Sequence, residues 1–248
     1  MQIIWKGQSC FQIISSQGKN NHVNIVIDPY SEDIGLKVPK LEADILLTTH
    51  NHYDHNNVKA VEGNPFLIQG PGEYEIKEVF IQGIPAFHDS SLGKESKLSS
   101  SPSAFAREGK ETSSLLPPRS AREGKERGIN TIYTIEAEEL RLCHLGDLGQ
   151  KELTSEQIDK IGQVDILMIP VGGVYTISAK EAVKIMSQIE PNITIPMHYQ
   201  LPELKLKLDG LDKFLKTMGI KKLASLPKLS IKKKDILPEE AKIIILSP

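Results

Sequence analysis

Short apolar runs alternate with turn-forming residues along most of this chain. Apolar runs of four to eight residues, bounded by Gly, Pro, Asn, Asp or Ser, are typical of β-strands. Runs of this kind predict strands at residues 1–5, 10–15, 23–28, 45–49, 66–69, 79–86, 130–136, 140–145, 166–170, 193–197, 228–232 and 242–246. Because these many strands are interspersed with few helical patterns, the sequence favours a mixed α/β fold.

Capping signals predict helices between the later strands. In a capping box, a side-chain oxygen at the helix start is followed three residues later by an amide or carboxyl group. Two such boxes are Thr154 with Gln157 and Ser178 with Glu181. A third helix is predicted at residues 209–218, where Gly219 would end it. A short fourth helix is predicted at residues 56–62.

Residues 95–126 differ in composition from the rest of the chain. They are rich in Ser, Pro, Gly and charged residues, and they contain the hexapeptide AREGKE twice, at 106–111 and 121–126. Such a segment is too polar to contribute to a core, so we expect a disordered, repeat-generated insertion in a surface turn. An arm that binds a partner or covers the substrate is the functional alternative.

Composition limits the class of protein. A chain of 248 residues with 39% hydrophobic residues can bury one full-sized core, which favours a single domain over residues 1–248. The formal net charge of −2 provides no overall attraction to nucleic acid or to an anionic membrane. No apolar run approaches the roughly 18 residues that span a bilayer. Cys10 and Cys143 form no Cys-x-x-Cys motif, and with no secretory signal at the start we expect free thiols and a cytoplasmic protein.

The strongest candidate for chemistry is the segment ILLTTHNHYDH at residues 45–55. In an extended backbone His50 and His52 point to the same side, so both imidazoles can reach one metal ion. A turn after them would direct Asp54 and His55 towards a second ion. The simpler alternatives are that Asp54 caps a helix and that one histidine is an ordinary polar residue at a strand end.

Three other apolar runs also end in a residue that can bind a metal, namely His88, Asp147 and His198. Functional residues gather at the ends of core strands, so we expect these three to meet the 50–55 segment. Imidazole and carboxylate donors suit zinc, although manganese and iron are also possible. Asp147 is suited to bridge two ions because its carboxylate has two oxygens. The sequence therefore predicts two divalent metal ions.

The order of these motifs resembles that of the metallo-β-lactamase superfamily. The resemblance rests on four motifs, THNHYDH at 49–55, PAFHD at 85–89, GDLG at 146–149 and PMHY at 196–199. It is closest to small bacterial and archaeal hydrolases related to ascorbate-6-phosphate lactonase. Relatives often carry His after the first glycine, where this chain has Gln8, so a substrate contact at that position is in doubt.

The resemblance implies a four-layer αββα sandwich with a two-metal site at one edge of the sheets. It implies that the first metal is held by His50, His52 and His88. It implies that the second is held by Asp54, His55 and His198, and that Asp147 bridges the two. Asp54 would also orient the attacking hydroxide.

Four further residues are weaker candidates, each with a structural alternative. His144 is a candidate proton shuttle or hydrogen-bond donor to a ligand, or else a satisfied structural histidine. Asp28 could orient a ligand imidazole, or could simply form a turn before a proline. Gly172 and Gly173 could bind an anionic substrate group through their backbone N–H groups, or could be required only for a tight turn.

The predicted function is a metal-dependent hydrolase in which a metal-bridging hydroxide attacks an ester, lactone or phosphoester of a small molecule. A nuclease or phosphodiesterase of the same fold is one alternative, although no nucleic-acid partner is expected. The flavodiiron redox branch of the fold and a non-enzymatic, metal-stabilised binding module are the others. No membrane partner is expected, and the sequence does not indicate an oligomeric state.

Overall fold

The computed structural model describes residues 1–18, 21–88, 128–237 and 241–248. The predicted insertion at residues 95–126 lies outside the described residues, as does Asp89 of the PAFHD motif. The strands, numbered in chain order, form two large sheets and two small ones. None of the described helices is long and apolar enough to cross a membrane.

The first large sheet has six strands in the order β15-β1-β2-β3-β5-β7. Its strands are β1 (Gln2–Trp5), β2 (Phe11–Gln17), β3 (Asn21–Ile27), β5 (Ile45–Thr48), β7 (Phe66–Gln69) and β15 (Leu229–Ser230). Strands β1 to β3 are antiparallel neighbours, whereas β3, β5 and β7 run parallel. The chain therefore leaves β3 and β5 at the same edge of the sheet.

The second large sheet has seven strands in the order β16-β13-β12-β11-β10-β9-β8. Its strands are β8 (Gly72–Ile76), β9 (Val79–Phe87), β10 (Ile129–Ala137), β11 (Leu140–His144), β12 (Ile166–Pro170), β13 (Ile193–Met197) and β16 (Lys242–Ile243). Strands β11, β12, β13 and β16 are parallel, and β8 to β11 are antiparallel. Two small sheets pair β4 (Leu41–Glu42) with β6 (Val61–Glu62), and β14 (Ser225–Leu226) with β17 (Ile245–Leu246).

One apolar core fills the space between the two large sheets. It includes Ile3 and Ile25 from the first sheet, and Ile81, Ile135 and Leu142 from the second. The alternation of buried and half-buried residues along β1 and β2 follows from the two-residue period of a strand. Strands β5, β12 and β13 are instead buried along their whole length, as strands covered on both faces must be.

The outer layers complete the predicted α/β sandwich. The helices are α1 (Ser155–Ile161), α2 (Ala179–Ile189) and α3 (Leu211–Thr217). In α2, Ala182, Ile185 and Ile189 form the buried stripe expected at helical spacing. Among the described residues, the outer face of the first sheet is covered by a second apolar cluster that includes Ile34 of the 3₁₀ turn Glu32–Ile34, Leu41 and Leu204.

Three of the four predicted helices are present. Both capping boxes form as predicted, and the third helix occupies Leu211–Thr217 within the predicted 209–218. The predicted helix at 56–62 is wrong, because this stretch forms a 3₁₀ turn, Val58–Ala60, followed by β6. Asn57 gives that turn no side-chain cap, and the pairing of β6 with β4 favours an extended chain at the β-branched Val61.

Candidate metal centre

The predicted ligands lie where strands of both sheets end. His50 follows β5, His88 follows β9, and His198 follows β13. Strand β9 is antiparallel to β10, which is antiparallel to β11, so β9, β11 and β13 all end at one edge of the second sheet. Asp147 follows β11 at the same edge. The topology thus brings together residues that are far apart in sequence.

The structure brings all seven predicted ligands into two adjoining groups of donor atoms. His50, His52 and His88 form the first group, and Asp54, His55, Asp147 and His198 form the second. Within each group, one possible ligand atom per residue lies within 4.8 Å of the others. The second group is buried throughout, whereas His52 of the first group is exposed and His88 is half-buried.

Asp147 lies between the two groups. Its Oδ2 is 3.1 Å from His55 Nε2 and 3.2 Å from His198 Nε2, both in the second group. The same oxygen is 3.5 Å from His88 Nε2 in the first group. A carboxylate in contact with donors of both groups has the placement that a bridging ligand requires.

The spacing of the donors fits a metal. With metal–nitrogen bonds near 2.0–2.1 Å, two ligand atoms of a tetrahedral site are about 3.3 Å apart. His50 Nε2 and His52 Nδ1 are 3.0 Å apart, and the contacts of Asp147 with His55 and His198 are 3.1 and 3.2 Å. These separations are close to those of ligand atoms around a shared ion.

Several of these nitrogen atoms also lack a hydrogen-bond partner. Among the described residues, His55 Nε2 and both ring nitrogens of His198 are buried without one, although Asp147 is within ion-pair distance. An unsatisfied buried polar group costs about 1–3 kcal/mol. A metal ion bound to these nitrogen atoms would give them the partner that they lack.

The pKa shifts in the cluster favour the protonation states that metal ligands need. Burial, followed by the nearby His55, lowers the pKa of His50 to about 2, which keeps that imidazole neutral as a ligand must be. Burial also lowers the pKa of His52. Burial by itself would raise the pKa of Asp54, but His55 outweighs it and the net shift is downwards. The pKa of Asp147 is likewise lowered, because His198 and His55 outweigh burial.

Asp28 holds the segment that leaves β5. Its Oδ1 accepts a hydrogen bond from the Thr49 backbone N–H at 2.7 Å, and its Oδ2 accepts one from Thr49 Oγ1 at 2.8 Å. Oδ2 also contacts His55 Nδ1 at 2.9 Å. The position of Asp28 therefore matches the predicted role of orienting a ligand imidazole, because His55 is left with Nε2 directed towards the cluster.

Gly172 is required by close packing, and Gly173 by its left-handed backbone, which has a φ of 72°. A Cβ at Gly172 would overlap the His198 carbonyl oxygen, and one at Gly173 would lie 2.6 Å from Asp209 Oδ2. His198 has a φ of 51°, which is rare for a residue with a side chain, and Gly172 leaves room for that turn. These contacts favour the tight-turn alternative, and binding of an anionic group by their N–H groups stays a prediction.

His144 is fully engaged with the backbone. Its Nδ1 accepts a hydrogen bond from the Gly146 N–H at 3.1 Å, so Nε2 carries the proton and donates to the Ser9 carbonyl at 3.0 Å. The ring is buried, and burial lowers its pKa. With both nitrogens occupied, the geometry favours the structural alternative over a proton shuttle.

The loop between β1 and β2 contributes contacts that the motifs did not predict. Gln8 Nε2 donates to Asp54 Oδ2 at 3.1 Å, and Ser9 Oγ donates to Asp147 Oδ1 at 3.4 Å. The Gln8 carbonyl also accepts from Trp5 Nε1 and the His198 N–H, at 2.9 and 3.0 Å. Gln8 is fully buried with a φ of 50°. Its side chain therefore supports Asp54, and its burial makes a direct substrate contact impossible in this conformation.

A cavity of about 1040 Å³ opens beside the first group of donors, lined in part by His50 and His52. Two other cavities, of about 620 and 490 Å³, lie away from the donor groups. A metal held by the first group would be adjacent to the largest of the three.

Comparison with known proteins places this arrangement in a family. A family model for the beta-lactamase superfamily domain matches residues 2–198, which include all seven donors. A UPF0173 metal-dependent hydrolase of Thermoplasma volcanium is 29% identical over 208 residues, which cover 80% of this chain and 83% of that protein. A UPF0173 protein of Pyrococcus abyssi is 32% identical over 208 residues, with the same coverage of 80% and 83%.

A solved structure from Thermotoga maritima has the same fold over almost its whole length. It superposes with a TM-score of 0.70 and 30% identity, and the alignment covers 99% of this chain and 97% of that one. Its description assigns it to the zinc-dependent hydrolases of the metallo-β-lactamase superfamily. This chain therefore belongs to the metallo-β-lactamase superfamily, as one of its metal-dependent hydrolases.

Proposed function

We propose that this protein is a two-metal hydrolase acting on an ester, lactone or phosphoester bond of a small molecule. The observation that supports two metals is the position of Asp147 Oδ2, which contacts donors of both groups. An imidazole-rich donor set suits zinc. The zinc named in the description of the Thermotoga maritima structure supports the same metal here.

The candidate ligands fall into two sets, one for each ion. His50, His52 and His88 would hold one ion and Asp54, His55 and His198 the other, with Asp147 shared. When bound, two such ions polarise the scissile group and make a water molecule nucleophilic near neutral pH. Asp54, which accepts a hydrogen bond from Gln8, would orient that water. The buried second group is shielded, so substrate would approach from the cavity beside His50 and His52.

The alternatives receive less support from the site. A purely structural zinc needs four closed ligands, fewer than the seven donors present. A nuclease needs cationic side chains along a nucleic-acid path, and the described residues around the cavity include no Lys or Arg.

The buried, free thiols Cys10 and Cys143 suit a reducing interior, and the cytoplasmic location stays a prediction.

The test is a joint measurement of metal content and hydrolysis. The full chain is stripped with chelator, reloaded with zinc, and analysed by mass spectrometry for bound metal. We expect two zinc ions per chain and turnover of at least one 4-nitrophenyl ester or phosphoester. A fully loaded protein with a single ion would contradict the two-metal proposal. Two ions without any turnover of the panel would contradict hydrolysis.

A further inference from the structure

The cavity beside the first donor group has an uncharged wall. Its polar lining includes Asn51, Asn56 and Gln69, and its apolar lining includes Pro71, Phe87 and Ile129. Among the described residues that line it, none is Asp, Glu, Lys or Arg. Apart from the histidines of the donor group, polar recognition therefore falls to carboxamides, threonine hydroxyls and backbone groups.

The three carboxamides form a hydrogen-bonded chain. Gln69 Nε2 donates to Asn56 Oδ1 at 3.2 Å, and Asn56 Nδ2 donates to Asn51 Oδ1 at 2.6 Å. Asn51 lies between His50 and His52 in sequence, so the chain leads from the end of β7 to the first donor group. Linked carboxamides offer neutral donors and acceptors in fixed positions, which suits carbonyl, hydroxyl or amide groups of a ligand.

A second part of the wall is apolar. Ile129 and Phe87 face each other in the β9–β10 ladder, and Ile129 is 66% exposed. A large aliphatic side chain exposed to this extent at a cavity gains from contact with an apolar part of a ligand. The cavity thus combines an apolar surface with a polar, uncharged one.

A phosphoester fits this wall poorly. It carries at least one negative charge, and a charge removed from water needs an ionic or strong hydrogen-bond partner to offset its lost hydration. Phosphate sites usually supply Arg, Lys or a cluster of backbone N–H groups. Bound metal ions would offset the charge on the oxygens that they contact, but the described lining of the cavity adds no cation for charge beyond those oxygens.

We propose that the cavity binds an uncharged ester or lactone, with its apolar part against Phe87 and Ile129 and its polar groups against the Asn51–Asn56–Gln69 chain. This inference rests on the proposed hydrolase function. In the reaction, the oxygen of water bonds to the carbonyl carbon and the C–O bond to the alcohol breaks. One proton of the water passes to the alcohol and the other leaves with the acid.

The test compares 4-nitrophenyl butyrate with bis(4-nitrophenyl) phosphate on the zinc-loaded full chain. Rates are expressed relative to the uncatalysed reaction with zinc alone, which removes the difference in intrinsic reactivity. We expect the larger rate enhancement on the neutral ester. A larger enhancement on the phosphodiester would overturn the inference while leaving the hydrolase proposal standing. Failure of both substrates with two zinc ions bound would overturn both.

Charge variants of the wall make the test independent of the choice of ester. Ile129→Lys adds a cation at an exposed position, and Ile129→Gln is its uncharged control. Both variants remove the apolar contact of Ile129, so the effect of the charge is read from Ile129→Lys relative to Ile129→Gln. We expect the phosphodiester-to-ester ratio of kcat/KM to be up to about fivefold higher in Ile129→Lys, as for one exposed ion pair. Equal ratios in the two variants would show that charge at this wall does not select the substrate.

The segment beyond the described residues requires its own control. Deletion of residues 95–125 removes most of the basic residues between His88 and Gly128 but leaves the cavity wall intact. The preference for the neutral ester should survive this deletion. A reversal of the preference would mean that the segment, and not the wall, determines the substrate, and the inference would then be wrong.

Discussion

Asp147 is the residue on which the proposed two-metal arrangement depends most directly. Its carboxylate is buried and lies within 3.1–3.5 Å of three histidines from the two groups. A negative charge at this point reduces the repulsion between two cations held a few Å apart. Removing the charge without changing the shape of the side chain therefore tests the arrangement.

We predict that Asp147→Asn loses at least one metal and most activity. The neutral amide can still bind weakly through its oxygen, but it cannot offset the repulsion between two divalent ions. Zinc content should fall from two towards one per chain, and turnover should fall by at least about 100-fold. Asp159→Asn, at an exposed position of α1, is the control for loss of one negative charge. Two retained zinc ions with full activity would refute the bridging role.

Gln8 acts on the site through Asp54. The buried hydrogen bond from Gln8 to Asp54, one of the seven candidate ligands, fixes the direction in which the other carboxylate oxygen faces. Among the described residues, Gln8 Oε1 is buried without a partner, so the hydrogen bond to Asp54 is the one that the Gln8 carboxamide makes. The left-handed backbone of Gln8 is maintained by the two donors to its carbonyl.

We predict that Gln8→Met weakens zinc binding about tenfold or more, which is the usual effect of losing a partner of a metal ligand. Met keeps the length of the side chain but cannot donate to Asp54. Competition with a coloured chelator measures the affinity without reference to activity. Gln163→Met, at an exposed position, is the matched control. An unchanged affinity would show that Asp54 needs no support from Gln8.

At the scale of single elements, local chemistry determines where α2 begins. Ser178 Oγ accepts from the Glu181 N–H at 3.4 Å, and the Glu181 carboxylate accepts from the Ser178 N–H at 2.8 Å. Both contacts lie within three residues, which is why the capping box could be predicted from sequence. The buried, apolar residues of the helix then pack into the main apolar core.

Ser178→Ala should lower the free energy of unfolding by about 1 kcal/mol, the typical cost of losing a helix N-cap. Chemical denaturation of the metal-loaded protein measures the loss. Ser187→Ala is the control on the same helix, because Ser187 only donates back to the Val183 carbonyl on the exposed side. Ala has the higher helix propensity there, so no destabilisation is expected at 187. Equal losses in the two variants would contradict the capping role.

Strand β8 shows the limit of local patterns. Its sequence, GEYEI, is largely polar and half-exposed, so it has no apolar run that predicts a strand. It pairs with β9 through a two-residue turn in which Lys77 and Glu78 have φ values of 50° and 58°. Such turns usually carry Asn or Gly, so neither the strand nor the turn had a sequence signature. Pairing with β9 stabilises this strand, although its residues have little intrinsic tendency to form one.

At the scale of the whole molecule, the described residues contain both sheets, the core and all seven donors without residues 95–126. We therefore expect deletion of residues 95–125, which restores the short loop LGKERGIN, to leave the melting temperature within about 3 °C. Loop closure entropy changes slowly with length, which supports a small effect. Calorimetry and metal analysis of the deletion variant test this. A large loss of stability or of zinc would show that the segment packs on the body.

The shared side of His50 and His52 and the start of two helices could be predicted from sequence alone, because both depend on residues a few positions apart. His50 and His52 share a side in any extended chain, and Thr154 and Ser178 need only their own third neighbours. The contacts that organise the centre join residues distant in sequence. Gln8 to Asp54 spans 46 positions, Asp28 to His55 spans 27, and Ser9 to Asp147 spans 138. Only the packing of the two sheets decides these contacts, since no local pattern specifies which strand ends meet.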